Sequence, residues 1–343
     1  VGTAPTLAAL EPYLDATPAL IEGHARYQRG TFDYDGALAQ YRLAADRNPS
    51  DTSVGPLIAD VERTRSVWLR EFDTRTTAGS LDARDWMAHA ALLRQVGRLD
   101  DAVRAAQRAT VLQPRAAEPW VRLAAVLSAT GDGRGATAVL ERAAADLPAD
   151  PVLLSDLGAT YNEQQRFADA AAVLRRSLGA QETADARNNL GVTFNGLGQP
   201  RDAIVEFGRA LALDGTLARA WFNLGVAHAS LGEMAMARRA YQRGLDLDPL
   251  NPRALYNLAI LDAREGRLEE SVAGLERAAA IDDRSADLHN ELGRAYLAVG
   301  RSADAVRQFE WSLELDPASE ASRANLALAR SQASGLQIGR AHV

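Results

Sequence analysis

The side chains best able to carry chemistry in this sequence are its histidines, because cysteine is absent. Without cysteine there are no disulfides, no thiolate nucleophiles and no cysteine-ligated zinc sites. The five histidines are His24, His89, His228, His289 and His342. Their availability for catalysis or metal binding depends on the elements that position them.

A second candidate is the glycine-rich segment Gly131-Asp132-Gly133-Arg134-Gly135, which could cradle a phosphate. It lacks the lysine of a P-loop, and no strand precedes it. We interpret it as a turn between two helices. The many Glu and Asp side chains could supply a carboxylate pair for acid–base chemistry, but on a helical repeat a solvated charged face is the simpler explanation.

The composition excludes several classes of function. The net charge of −7 is mild and dispersed, which argues against nucleic-acid binding. No run approaches the roughly 18 apolar residues that a membrane-spanning helix needs, so a soluble protein is predicted. All 38 basic residues are arginine. This suits phosphate or carboxylate recognition, but a GC-rich genome produces the same bias, and we favour that interpretation. The compartment, cytoplasm or periplasm, stays open.

The elements come from a repeat with a period of 34 residues. Apolar helices open at Trp86, Trp120, Trp221, Leu255 and His289. Leucine followed by a small residue comes next, at Leu123-Ala124, Leu157-Gly158, Leu190-Gly191, Leu224-Gly225, Leu258-Ala259 and Leu292-Gly293. A glycine then marks a break, at Gly97, Gly131, Gly198, Gly232, Gly266 and Gly300. A small residue, a large apolar residue and often a proline complete each repeat.

This pattern has a direct physical meaning. Small residues at fixed points let two antiparallel helices approach closely, and proline stops the second helix. The pattern resembles the tetratricopeptide repeat family, whose repeat reads Trp-x2-Leu-Gly-x2-Tyr followed by Ala, Phe and Pro. The resemblance implies an all-α, right-handed α-solenoid of stacked antiparallel helix pairs. It also implies a scaffold that binds a protein or peptide.

The repeat divides the chain into six segments. These are a partial helix or linker (1–17), a divergent repeat (18–51), a non-repeat helix and loop (52–82), seven tandem repeats (83–319), a partial repeat or capping helix (320–335) and a tail (336–343). Within the non-repeat segment, Thr74–Ser80 is predicted to be the loop. Residues 338–343 match the translation of a common sequencing adapter, and the chain starts without methionine or a signal pattern. We therefore expect a fragment of a longer protein.

When the repeats are aligned, the four histidines that precede the tail occupy positions where other repeats have residues that pack between helices. His24 and His89 replace leucine, His228 replaces a tyrosine and His289 replaces a tryptophan. No nucleophile–base pair can be proposed from the remaining residues. We therefore predict no catalytic residues, no metal and no cofactor, and a protein that is not an enzyme.

One repeat position forms a candidate ligand-binding column. Asn189, Asn223, Asn257 and Asn325 share this position, with Glu291 at the remaining step. In the family this position lies on the first helix of each pair, which lines the concave face. An amide can both donate to and accept from a peptide backbone. Two interpretations are open: a ladder that binds an extended peptide, or a residue that is simply frequent in the repeat.

Neighbouring positions complete the predicted peptide-binding site. One column holds Asn188, Phe222, Tyr256 and Asn290; the next holds Val192, Val226, Ile260 and Arg294; and Asn195 and Arg264 lie nearby. Arg219 and Arg253 flank these columns. An apolar floor, amides and a basic rim suit a short peptide with an apolar anchor and an acidic group.

A further column lies in the last turns of the second helices. It contains Arg108, Arg142, Arg176, Arg209, Arg243 and Arg277. Cations are favourable near helix C-termini, so we interpret this column as structural. In the last complete repeat its place is taken by Trp311, which we expect to be partly exposed and to contact a partner or sequence beyond Gln337.

Two other functions stay open at this point. The chain could be a structural or substrate-presenting arm of a larger protein, including one with a catalytic domain. It could also be a solenoid that associates with copies of itself through its uncapped ends.

Overall fold

The computed structural model describes residues 34–47, 52–79 and 81–341, with side chains up to residue 334 in the last helix. Over this range the chain consists of helices and turns, with no strand. The predicted all-α class of packed helix pairs is confirmed. The predicted segment 1–17, His24 and Gly30 lie outside the described residues.

The chain divides into two compact units, residues 1–182 and 183–343. The first contains α1 (Tyr34–Arg47), α2 (Val54–Thr77), α3 (Ala83–Gln95), α4 (Leu99–Leu112), α5 (Ala117–Ala129), α6 (Gly133–Asp146), α7 (Pro151–Glu163) and α8 (Phe167–Ala180). The second contains α9 (Ala184–Gly196), α10 (Pro200–Leu213), α11 (Ala218–Ser230), α12 (Met234–Leu247), α13 (Pro252–Arg264), α14 (Leu268–Ile281), α15 (Ala286–Ala298), α16 (Ser302–Leu315) and α17 (Glu320–Ala341). From α3 to α16, a first helix of 13 residues alternates with a second helix of 14.

Each pair closes through a short turn in which one residue has a left-handed backbone. In six pairs this residue is glycine, with φ between 72° and 84°. In the α7–α8 pair it is Gln165, with φ 59°. At the α5–α6 turn, Asp132 accepts a hydrogen bond of 2.8 Å from the Gly135 N–H and caps α6. The glycine-rich segment is therefore a turn, as predicted.

Within several pairs the two helices approach closely at a glycine in the first helix. A Cβ atom built on Gly225 would lie 2.6 Å from ring carbons of the buried Tyr241. Two further glycines face phenylalanine rings in the same way, Gly191 with Phe207 and Gly293 with Phe309. In the α13–α14 pair the arrangement is reversed, because Ala259 occupies the first helix and Gly274 faces it from the second. The small residue thus makes room for its neighbour on the partner helix.

At four junctions, successive pairs are joined by a hydrogen bond from the fourth residue of the first helix. A side-chain N–H donates to a main-chain carbonyl in the loop that ends the preceding pair. The bonds run from Trp120 to Pro114 (3.0 Å), Trp221 to Gly215 (3.0 Å), His289 to Asp283 (3.1 Å) and Arg323 to Pro317 (2.9 Å). Tryptophan, histidine and arginine share an N–H donor, which explains why they replace one another here.

The histidines in the described part of the helices are packing residues, as predicted. His89, His228 and His289 are 3%, 8% and 5% exposed. His89 lies 3.2 Å from the Asp73 carboxylate, and His228 lies 2.6 Å from Glu233. Burial lowers the pKa of His89, and the opposing effect of Asp73 is smaller. These rings are held by internal partners and stabilise the helix packing.

The non-repeat segment differs from its predicted form. Helix α2 continues to Thr77, so the predicted loop at Thr74–Ser80 is wrong for its first four residues. Two threonine hydroxyls bond back to carbonyls four residues earlier, Thr74 to Arg70 at 2.8 Å and Thr77 to Asp73 at 3.0 Å. The buried Phe72 and an ion pair between Arg75 and Asp85 of α3 hold this last turn in place.

Helix α17 begins at Glu320 and ends at Ala341, so it extends past residue 335, where the sequence divided a partial repeat from a tail. The side chains of 335–343 lie outside the described residues. The assignment of 338–343 to an adapter, without packing partners, stays a prediction.

The glycine contacts generate a first prediction. Gly225→Ala should lower the free energy of unfolding by about 1–3 kcal/mol, because its methyl group must displace the Tyr241 ring. Gly208→Ala is the matched control. It lies on an exposed stretch of α10 with no neighbouring atom in reach, so it should be neutral or stabilising by about 0.5–1 kcal/mol. Thermal unfolding followed by circular dichroism compares the two, and equal effects would contradict the close approach.

The left-handed glutamine generates a second prediction. Gln165→Gly should raise the stability by about 1 kcal/mol, because glycine adopts this backbone without steric cost. Gln165→Ala keeps the Cβ atom and should give no comparable gain. The midpoints of chemical unfolding measure both, and a gain with alanine would attribute the effect to the rest of the glutamine side chain.

Candidate peptide-binding face of the second unit

The predicted binding residues lie on the first helices of the second unit, and their exposure differs. Asn188 is buried, and Val226, Arg264 and Arg294 are exposed. The others are half-buried: Asn189, Val192, Asn195, Phe222, Asn223, Tyr256, Asn257, Ile260 and Asn290. Most of the set is therefore partly accessible.

Two pairs of amides connect neighbouring first helices. The Asn223 amide donates a 2.9 Å hydrogen bond to Asn188, and the Asn325 amide donates an equal bond to Asn290. In both pairs the accepting asparagine is the residue just before the predicted column position, which Asn189 and Glu291 hold in these two repeats. Asn188 is only 3% exposed, so it lies in the seam between α9 and α11. Part of the asparagine column thus bonds one helix to the next.

The middle of the column is built differently, because two aromatic residues replace the acceptor asparagine. Phe222 packs over Gly244 and against the cluster that contains Tyr241. Tyr256 packs against the cluster around α13 and α15. The Asn257 side chain has no neighbouring amide and hydrogen-bonds the Tyr241 hydroxyl. Burial raises the pKa of Tyr241 to about 12, so this hydroxyl stays neutral at physiological pH.

A cavity opens beside the aromatic steps, between the N-terminal halves of α13 and α15. Its volume is about 500 Å³, and Tyr256, Asn257 and Arg253 line it. Sequence reasoning missed three polar residues that also line it: Asp282, Ser285 and Asp287. The sequence could have indicated Asp287, because Asp287 and Arg253 are each the second residue of a first helix and so share a repeat position. Because both line this cavity, it is polar and carries both signs of charge.

The electrostatics differ from the predicted basic rim. Arg219 forms an ion pair with Asp185, and Arg294 lies 2.7 Å from Glu291. Burial raises the pKa of Tyr256, and Glu291 and Asp287 add to the effect. Of the predicted rim, Arg219 is neutralised by the acid at the same position of the preceding repeat, whereas Arg253 and Arg264 form no ion pair with any described residue. Arg294 is paired within its own helix.

Trp311 is 48% exposed, in agreement with its place in the register. Its indole N–H donates to the Asp283 carbonyl at 3.2 Å, and its ring lies 5.5 Å from that of His289. In the first unit, Arg176 of the same column donates to the Pro148 carbonyl at 2.9 Å. Trp311 therefore keeps the structural role of the arginine column, and a partner contact through its exposed face stays a prediction.

The repeat pattern identifies the class of protein. Two family models of the tetratricopeptide repeat match the chain. The first matches residues 218–251, and the second matches residues 155–216, 235–287 and 290–335. Together the matched segments cover more than half of the chain, and the chain belongs to the tetratricopeptide repeat family. The repeats support a general role as a protein-interaction scaffold, and the fold is typically non-catalytic.

Solved structures show the same fold. A chain of the APC/C hetero-tetramer Cut9–Hcn1 aligns with a TM-score of 0.62 and 14% identity, over 88% of this chain and 64% of that one. The type IV pilus biogenesis factor PilW aligns with a TM-score of 0.54 and 23% identity, over 61% of this chain and 98% of that one. A tetratricopeptide repeat protein from Parabacteroides merdae aligns with a TM-score of 0.53 and 16% identity, over 72% and 98%. No curated protein sequence matches the chain.

Two further properties concern the described residues only. They contain no group of three or more His, Cys, Asp or Glu side chains placed to hold a metal ion. None of their helices combines the length and apolar character needed to cross a membrane.

The amide pair generates a third prediction. Asn188→Ala should cost about 1–2 kcal/mol of stability, because it leaves the Asn223 amide without its acceptor in a buried seam. Asn195→Ala, at a half-buried position of the same helix, should stay within about 0.5 kcal/mol. Chemical unfolding of both variants measures the difference. A neutral Asn188→Ala would mean that the amide pair does not join the helices.

Proposed function

We propose that the first helices of the second unit bind an extended segment of a partner protein. The observation that supports this most directly is the cavity of about 500 Å³ beside Tyr256 and Asn257. Here Tyr256 stands at the repeat position where Asn188 and Asn290 accept a hydrogen bond from the next first helix. The amide pairs on either side brace the surface, and the interrupted steps between them offer space for a ligand.

The apolar contribution comes from residues one helical turn apart. Phe222 and Val226 lie four residues apart on α11, and Tyr256 and Ile260 have the same spacing on α13, so each pair shares one helix face. Val226 is 41% exposed, and the other three are half-buried. An apolar side chain of a ligand that covers Val226 would gain roughly 1.5–3 kcal/mol from burial.

The polar contribution would come from amides and the cavity. Each asparagine amide carries two N–H donors and an oxygen acceptor. Asn223 uses one donor on Asn188, which leaves groups that can face a peptide backbone. Arg253 and Arg264 form no ion pair with any described residue, and Asp287 lies across the cavity from α13. The ligand therefore needs an apolar anchor with polar groups of either charge beside it.

A fourth prediction tests this surface. Twelve-residue peptides are selected from a random display library on the full chain, and their affinities are then measured for variants. Val226→Asp should weaken the selected peptides by at least about tenfold, or about 1.4 kcal/mol, because it places a charge on the apolar contact. Val205→Asp is the matched control, since Val205 is 51% exposed on the second helix α10.

Both variants should unfold at the wild-type temperature, because both side chains are exposed. Peptides that lose affinity equally for both variants, or for neither, would place the binding surface elsewhere. Concentration-dependent light scattering that changes only with Val226→Asp would favour the self-associating alternative.

A further inference from the structure

The first unit contains an interruption of the repeat with an open cleft beside it. From α3 to α16 every first helix is followed by a second helix, but α2 is followed directly by α3. A cleft of about 820 Å³ lies beside the end of α2, bounded by α3 and α4. It occupies the place after α2 where a second helix would follow in the repeat.

One face of α4 forms the open wall of this cleft. Arg104, Arg108, Val111 and Leu112 line it at helical spacing, so they share one stripe. Val111 is 69% exposed and Leu112 is 52% exposed. Two adjacent apolar residues at the end of a helix with this exposure form an apolar ledge beside the arginines.

The polar side chains on the floor of the cleft are hydrogen-bonded to one another. His89 is held between Asp73 and Thr76, at 3.2 and 3.5 Å. Arg98, the residue before α4, bridges from Asp73 (3.0 Å) to Asp101 (2.8 Å) and so ties α2 to α4. These polar groups are engaged with one another, and they fix the shape of the cleft.

The charge that faces the cleft from its open wall is basic. Arg104 is paired with Asp101, whereas Arg108 forms no ion pair with any described residue. In complete repeats the same column has a local partner: Arg142 lies over the Trp120 ring at 5.8 Å, and Arg176 donates to the Pro148 carbonyl. Arg108 follows an incomplete repeat, and its guanidinium is available to an external acid.

We propose that this cleft binds an amphipathic helix of a partner protein, which supplies the missing second helix. The ligand helix would place an apolar stripe on Val111, Leu112 and Trp86, and a carboxylate on Arg108. The volume corresponds to about two turns of a helix roughly 10 Å across. This is a helix-in-groove interaction, separate from the extended segment proposed for the second unit.

The test uses the full chain and a defined probe. The probe is a fluorescent peptide with the sequence of α14, residues 268–281, acetylated and amidated. It is a second helix with three glutamates and one arginine. Binding is measured by fluorescence anisotropy, and a second peptide with the three glutamates changed to glutamine tests the charge requirement.

The expected result is saturable binding that weakens by at least about tenfold in the double variant Arg108→Glu with Val111→Asp. The matched control is Arg142→Glu with Ala145→Asp, the same two positions in the next repeat, which should change binding by less than about twofold. The glutamine peptide should also bind more weakly. All four side chains are exposed, so the first double variant should unfold like the wild type, and the control should lose no more than about 1 kcal/mol through its contact with the Trp120 ring.

Three binding results and one association result would overturn the proposal. The binding results are no binding at about 1 mM peptide, equal affinity for both double variants, or a loss of affinity in Val226→Asp instead. Self-association of the full chain that is abolished only by the Arg108 and Val111 changes would also overturn it, since a second copy would then fill the cleft. Weaker binding of the probe by Val226→Asp would assign the probe to the surface of the second unit, and the other outcomes do not bear on peptide selection by that unit.

Discussion

The close approach of two helices at a small residue is the constraint on which the rest of the structure depends. Gly225 lies so near the Tyr241 ring that a methyl group would not fit, and Gly191 and Gly293 make the same contact with phenylalanine. The α13–α14 pair shows that the contact matters more than the residue, because the glycine there has moved to the second helix. A pair held at this distance presents a flat side to the next pair, so pairs can stack.

Stacking does not constrain the side chains on the accessible face of the first helices. These side chains can therefore differ between repeats and form a binding surface. An asparagine before the ladder position bonds the next helix, as Asn188 does with Asn223. An aromatic residue at the same place packs inward and leaves the step without that link, as at Tyr256. The same repeat position therefore joins two helices through an amide in some repeats and holds an aromatic residue in others, and one of these, Tyr256, lines a cavity.

An interruption has a larger effect than a substitution. One second helix is missing after α2, and Arg108 of α4 beside the gap forms no ion pair with any described residue, whereas Arg142 and Arg176 at the same repeat position have local partners. The chain compensates within the cleft through the His89, Asp73 and Arg98 network, but the outer arginine and the apolar ledge stay uncovered. The helix ligand proposed for this cleft would fill the place of the missing second helix.

The sequence by itself determined the helix pairs, their order, the burial of His89, His228 and His289, and the turn at Gly131. These features follow from residues within one repeat, and the 34-residue period multiplies the signal. Only the tertiary structure decided that Asn188 is buried, that Arg219 is neutralised, that α2 continues to Thr77, and that Trp311 bonds the preceding loop. Each of these depends on a partner about one repeat or one helix away. The distance between such partners depends on how large side chains such as Tyr256 pack between the helices. A repeat pattern in the sequence does not specify this packing.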